Sequence, residues 1–104
     1  MSVNLVEDSI SAFQDLVKNI EGQVVVDFWA TWCPPCRALS PVLDSLEKDG
    51  KVTVVKVDVD ANPNLAMKFA VSSIPTMDFY SNGSENRNRL IGAHPRQAIE
   101  NHIK

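Results

Sequence analysis

Cysteine is scarce in this chain. Its two copies, Cys33 and Cys36, lie too close together to staple distant segments as the bridges of small secreted scaffolds do. Any bond between them is therefore chemistry rather than scaffolding. No block of lysine and arginine stands against the formal charge of -3, so the electrostatic footprint that holds a phosphate backbone is missing and no nucleic-acid partner is expected. Long apolar runs are lacking too. The opening stretch MSVNLVEDS has no basic n-region, no apolar core and no small-residue cleavage site, which predicts neither a leader nor a membrane partner and points to a cytoplasmic location. Repeats, low-complexity tracts and interdomain linkers are also absent from the sequence. At 104 residues one compact core is the ceiling, and 44% apolar against 22% charged residues is an ordinary globular composition, so a single domain over 1–104 is expected.

What is present alternates between two periods. Asp8 or Ser9 can cap a helix whose Ile10, Phe13, Leu16, Val17 and Ile20 recur at helical spacing up to Gly22. QVVVDFW, residues 23–29, is short and β-branched with apolar residues on both faces, as in a covered central strand. A second helix is predicted over 36–49 from Leu39, Val42, Leu43 and Leu46, kinked at Pro41. A strand over 52–59 follows, then a short helix capped by Asp60 or Asn62 with Pro63 near its first position. Residues 76–81 read as a strand, Asn82-Gly83 as a hairpin turn and 87–91 as a returning strand, and Pro95 opens a last helix. The order strand, helix, strand, helix, strand, helix, two strands, helix predicts an α/β fold: a mixed sheet of about five strands flanked by four helices.

The segment FWATWCPPCR leaves the second strand and opens the second helix, so Cys33 sits where unpaired N–H groups and the helix dipole favour an anion. A thiolate is such an anion, and it is the nucleophile of disulfide exchange. Cysteines three apart in a first helical turn can bond, which lets Cys36 attack a mixed disulfide formed on Cys33. A zinc site is the competing reading of any CxxC, but it needs about four ligands, and His94 and His102 lie in the far C-terminal segment with no second CxxC, so no metal is expected. Asp27, in the middle of an apolar strand, should have a raised pKa and so suit a proton acceptor, unless its strand face is solvated. Lys56, flanked by valines on the next strand, is either its charge partner or an exposed lysine. Trp29 and Trp32 bracket the loop as core filler or, for Trp32, as substrate surface.

FWATWCPPC resembles the thioredoxin family motif, and Ile74-Pro75-Thr76, Ile91-Gly92-Ala93 and Asp27 match further family positions in register across essentially the whole chain. The resemblance implies the thioredoxin fold, Cys33 as exposed attacking nucleophile, Cys36 as resolving thiol and Asp27 as proton acceptor. It implies a cis Ile74–Pro75 bond beside the cysteines, with the Ile74 backbone pairing to an extended client segment. Trp32, Pro34, Pro35, Ile74, Pro75, Thr76, Gly92 and Ala93 are then the client-binding residues, Gly92 by letting a docked backbone approach or else serving as a plain turn glycine. It further implies a monomer with no bound cofactor, serving disulfide-containing client proteins and receiving electrons from NADPH through a flavin-dependent thioredoxin reductase.

Two departures stand out. Pro34 occupies a position where the commonest motif has glycine, a change that bears on the redox poise; WCPPC also resembles tethered thioredoxin-like proteins that reduce apocytochromes, the alternative reading, with a redox-silent binding module as a third. The run SENRNR over 84–89 is too polar to alternate cleanly as a half-buried strand, and Arg87 and Arg89 are expected to guard an edge against sheet aggregation or to select a partner.

Overall fold

A computed structural model describes residues 2–103 of the chain. Its elements are β1 (Val3–Asn4), α1 (Ile10–Lys18), β2 (Gln23–Trp29), α2 (Pro34–Lys48), β3 (Thr53–Asp58), α3 (Pro63–Lys68), β4 (Thr76–Ser81), β5 (Ser84–Ile91) and α4 (Arg96–Glu100). The five strands form one sheet in the order β1-β3-β2-β4-β5. β3 runs parallel to β1 and β2, whereas β4 runs antiparallel to β2 and β5, so the sheet is mixed.

β2 lies at the centre because both of its faces are apolar. Val24, Val26 and Phe28 join Phe13 and Val17 of α1 and Leu65 of α3 in one core layer, while Val25 joins Leu39, Leu43 and Leu46 of α2 and Ile99 of α4 in the other. Each such side chain, when fully buried, stabilises the fold by roughly 1.5–3 kcal/mol. Alternation along the strand puts Asp27 on the layer that α2 covers, with no apolar exchange to offset its desolvation.

Helix boundaries follow local chemistry more closely than periodicity suggests. α1 stops at Asn19, before Gly22, and its N-cap is Ser9, whose hydroxyl accepts from the Ala12 amide at 3.3 Å. α2 starts at Pro34 rather than at Cys36, since prolines in a first turn forgo N–H groups that would be unpaired anyway, and it runs on through Pro41 as one element to Lys48. α3 has Asn62 at its N-cap but no cap bond from that side chain. Asp8 supplies the cap from across the sheet end, accepting from the Asn64 amide at 3.0 Å and the Leu65 amide at 2.9 Å. Pro95 is the N-cap of α4 rather than its first residue.

Asn82 and Gly83 turn the β4–β5 hairpin with φ of 50° and 84°, the left-handed pair that a two-residue turn of this hand requires. β5 begins at Ser84, three residues before the expected Arg87. The reason is a register shift: Met77 pairs with Leu90 and Phe79 with Asn86, so β5 carries extra residues opposite Asp78. Arg89 is not a bare edge charge. It forms a bidentate ion pair with Asp78 and donates to the Phe69 carbonyl at 2.8 Å. The Arg87 side chain lies outside the described residues.

Candidate functional site

The chain leaves β2 at Trp29, crosses Ala30 to Trp32 and enters α2, with Cys33 as the N-cap in extended conformation. Cys33 and Cys36 are joined by a disulfide, their Cα atoms 5.3 Å apart. The Cys36 amide, one of the orphan donors of the first turn, points at the Cys33 Sγ from 3.2 Å. Pro34 and Pro35 between them have no N–H to give, so this amide is the donor that the first turn offers to the sulfur. Any negative charge on Cys33 would therefore develop against an N–H dipole and the positive end of α2.

Contrary to the exposed nucleophile implied by the resemblance, Cys33 is only 2% accessible in the disulfide form, as is Cys36. The pair packs with Ala30 beneath Trp29, Val59 and Ile74, because an apolar disulfide gains by the same burial as a small hydrophobe. Pro34 and Pro35 are exposed beside it. The Ile74 carbonyl lies 3.9 Å from the Cys33 Sγ, a van der Waals contact because a disulfide sulfur has no proton to donate.

The Ile74–Pro75 bond is cis. The Thr76 hydroxyl donates back to the Ser73 carbonyl, and the Gly92 amide donates to the Pro75 carbonyl at 2.8 Å. Gly92 has a φ of 96°, a conformation that a side chain would strain, which supports the turn reading of this glycine while leaving open space above it. Ala93 is exposed next to it. Trp32 is 63% exposed and its indole Nε1 donates to Asp60 Oδ2 at 2.7 Å, so the ring stands on the surface in a fixed direction. Asp60 thus orients Trp32 instead of capping α3.

Asp27 is fully buried, and the Lys56 Nζ lies 3.7 Å from its Oδ2. That separation makes an ion pair without a hydrogen bond, and neither carboxylate oxygen has a hydrogen-bond partner among the described residues. Burial raises the Asp27 pKa to about 6, with the Lys56 charge pulling back against it. Lys56 is largely buried, resolving the choice left by the sequence: its Nζ donates to the Ser40 hydroxyl at 3.3 Å and lies 5.3 Å from the Trp29 ring centre. Ser40 was missed by sequence reasoning, although its position one helical turn after Cys36 puts it on the same side of α2. Among the described residues no group of three or more His, Cys, Asp or Glu is placed to hold a metal ion.

Comparison with known proteins agrees with this geometry. The family model described as Thioredoxin matches residues 4–104. The chain is 40% identical over 104 residues to the pea protein named Thioredoxin M-type, chloroplastic, covering 98% of this chain and 59% of that one. It is 41% identical over 105 residues to the thioredoxin of Staphylococcus saprophyticus, covering 95% and 98% of the two chains. Among solved structures, oxidised mitochondrial thioredoxin 3 from Saccharomyces cerevisiae superposes with a TM-score of 0.82 at 32% identity, covering 98% of this chain and 92% of that one.

Proposed function

The chain belongs to the thioredoxin family, and on that premise we propose that it is a protein-disulfide reductase and electron carrier working through Cys33 and Cys36. The observation that carries the reading is the redox pair itself: a Cys33–Cys36 disulfide closed across the first turn of α2, with the Cys36 amide aimed at the Cys33 sulfur.

In the reduced protein the Cys33 thiolate attacks one sulfur of a client disulfide. A Cys33–client bond forms, and the other client sulfur leaves as a thiolate. Cys36 then gives its proton to Asp27 and attacks the Cys33 sulfur, closing the Cys33–Cys36 bond and releasing the second client thiol. Two electrons pass to the client and the dithiol is left oxidised. Asp27 suits the proton step because a pKa of about 6 leaves it ionised at neutral pH yet basic enough to accept. Trp32, Pro34, Pro35, Ile74, Pro75, Thr76, Gly92 and Ala93 form the client surface, and the Ile74 backbone pairs with the client's extended segment. Electrons return from NADPH through a thioredoxin reductase, and the protein acts as a cytoplasmic monomer.

A redox-silent binding module has no use for cysteines positioned in this way, and the relatives named above do not favour an apocytochrome-reducing role. The test is turnover: with NADPH and a thioredoxin reductase, catalytic amounts of the protein should reduce a disulfide dye continuously. A protein that the reductase cannot reduce, or that leaves the dye intact once chemically reduced, would overturn this assignment.

A further inference from the structure

The segment that carries Ile74 to the disulfide is held at its ends and not along its length. Among the described residues the amides of Ser72, Ser73 and Ile74 donate to no backbone carbonyl. At its C-terminal end it is fixed by the Thr76 hydroxyl on the Ser73 carbonyl and by the Gly92 amide on the Pro75 carbonyl. At its N-terminal end, where α3 gives way to a left-handed Ala70 with a φ of 54°, the Ala70 and Val71 amides close the helix on the Met67 and Ala66 carbonyls, and a second anchor, on the outward carbonyls, comes from another strand. Arg89 of β5 donates through Nη2 to the Phe69 carbonyl at 2.8 Å, and its Nη1 lies 3.5 Å from the Ala70 carbonyl.

The guanidinium is itself locked. Its Nε and Nη2 grip the two oxygens of Asp78 at 2.7 and 3.0 Å, and Asp78 is only 3% exposed. The register shift between β4 and β5 falls at Asp78 and brings Arg89 to it, as bulges re-aim side chains elsewhere. A buried carboxylate on a strand is costly unless paired, so the pair asks for a reason beyond stability, which two apolar residues would serve as well.

We propose that Arg89, locked by Asp78, is a positioning residue for client binding: it fixes the Phe69–Ala70 end of the loop so that the Ile74 backbone is preset for an extended client segment. The inference rests on the disulfide-reductase reading and adds a determinant remote from the sulfurs. A client that pairs with the loop backbone must otherwise order that loop itself, which weakens binding and leaves the sulfur chemistry unchanged.

The test uses the full chain with two disulfide substrates, a small aromatic disulfide dye that needs no backbone pairing and a cyclic disulfide peptide with extended flanks. The variant Asp78→Leu with Arg89→Met replaces the ion pair by apolar side chains of similar volume and removes the carbonyl anchors. The expected result is an unchanged rate with the dye and a KM for the peptide raised about fivefold at constant kcat. Arg89→Lys alone, which keeps a charge for Asp78 but loses the fork that spans it and the carbonyls, should move the peptide KM in the same direction even if the double variant fails to fold. A peptide KM equal to that of the unmodified protein in a folded variant would overturn the proposal. Failure of the unmodified protein on both substrates would instead sink the reductase reading itself.

Discussion

Asp27 and Lys56 are register partners on adjacent parallel strands, yet their charged groups stop 3.7 Å apart and share no hydrogen bond. The Lys56 Nζ donates to the Ser40 hydroxyl at 3.3 Å and stays beyond hydrogen-bond reach of the carboxylate. The consequence is an under-compensated carboxylate: desolvation outweighs the Lys56 charge, and the Asp27 pKa is raised to about 6. Its protonated form is favoured by folding.

The sign of the pH dependence follows. With a folded pKa above the unfolded value of 3.8, the stability that protonated Asp27 contributes is present below about pH 4 and is lost as the pH rises through about 6. A shift of this size corresponds to roughly 3 kcal/mol. Asp27→Asn should therefore leave stability unchanged or higher at pH 7 and flatten its fall between pH 4 and 7 in denaturant titrations. It should also slow release of the mixed disulfide near neutrality and abolish the rise of that step through pH 6. Unchanged kinetics with lowered stability at pH 7 would identify the pair with Lys56 as structural.

Much of this site was legible in one dimension. QVVVDFW announces a covered strand, and the CxxC beyond it falls at a helix start, so Cys33, Cys36 and the anomalous Asp27 could be found by pattern alone. Residues whose partners are distant in sequence could not. Nothing in SENRNR shows that Arg89 grips Asp78, because a register shift between β4 and β5 decides it. Nor does the spacing of Asp8 and Leu65 reveal that one caps the other's helix. The opening strand, Val3–Asn4, is too short to show a period in the sequence, and pairing with Val55 and Lys56 makes it a strand.

The two cysteines should separate on mutation. Cys33→Ser removes the attacking thiolate and should abolish disulfide reduction. Cys36→Ser leaves attack intact and removes resolution, so mixed disulfides with clients should accumulate and be visible on non-reducing gels. Because both sulfurs are buried in the oxidised form, accessibility does not distinguish them, and only the order of trapping can. Accumulation with the Cys33 variant in place of the Cys36 variant would reverse the roles.

Asp8 offers a test of the fold away from the chemistry. Its carboxylate accepts from the Asn64 and Leu65 amides, and the N-cap residue Asn62 makes no side-chain cap bond in its place. Asp8→Ala should cost about 1 kcal/mol, with loss of amide-exchange protection concentrated in the first turn of α3. Equal protection of Leu65 in the variant would show that water or Asn62 serves as well.

Pro34 is where this motif departs furthest from the commonest one, and its position in α2 shows how it should act. It is the first helical residue, whereas the donor to the Cys33 sulfur is the Cys36 amide two positions on. Restoring an N–H at 34 therefore adds little to the sulfur's hydrogen bonding, and the effect of Pro34→Gly rests on chain entropy. Opening the disulfide frees this turn, and proline limits how much freedom it gains. Glycine lifts that limit, stabilises the dithiol relative to the disulfide and makes the couple more oxidising. An entropy difference of about 0.4–1 kcal/mol corresponds to a rise of roughly 10–20 mV for a two-electron couple. Equilibration against a glutathione buffer, read by the fraction of dithiol at each ratio, resolves a shift of that size. A potential that stays constant or becomes more reducing would mean that proline constrains the two redox forms equally, or the dithiol less than the disulfide.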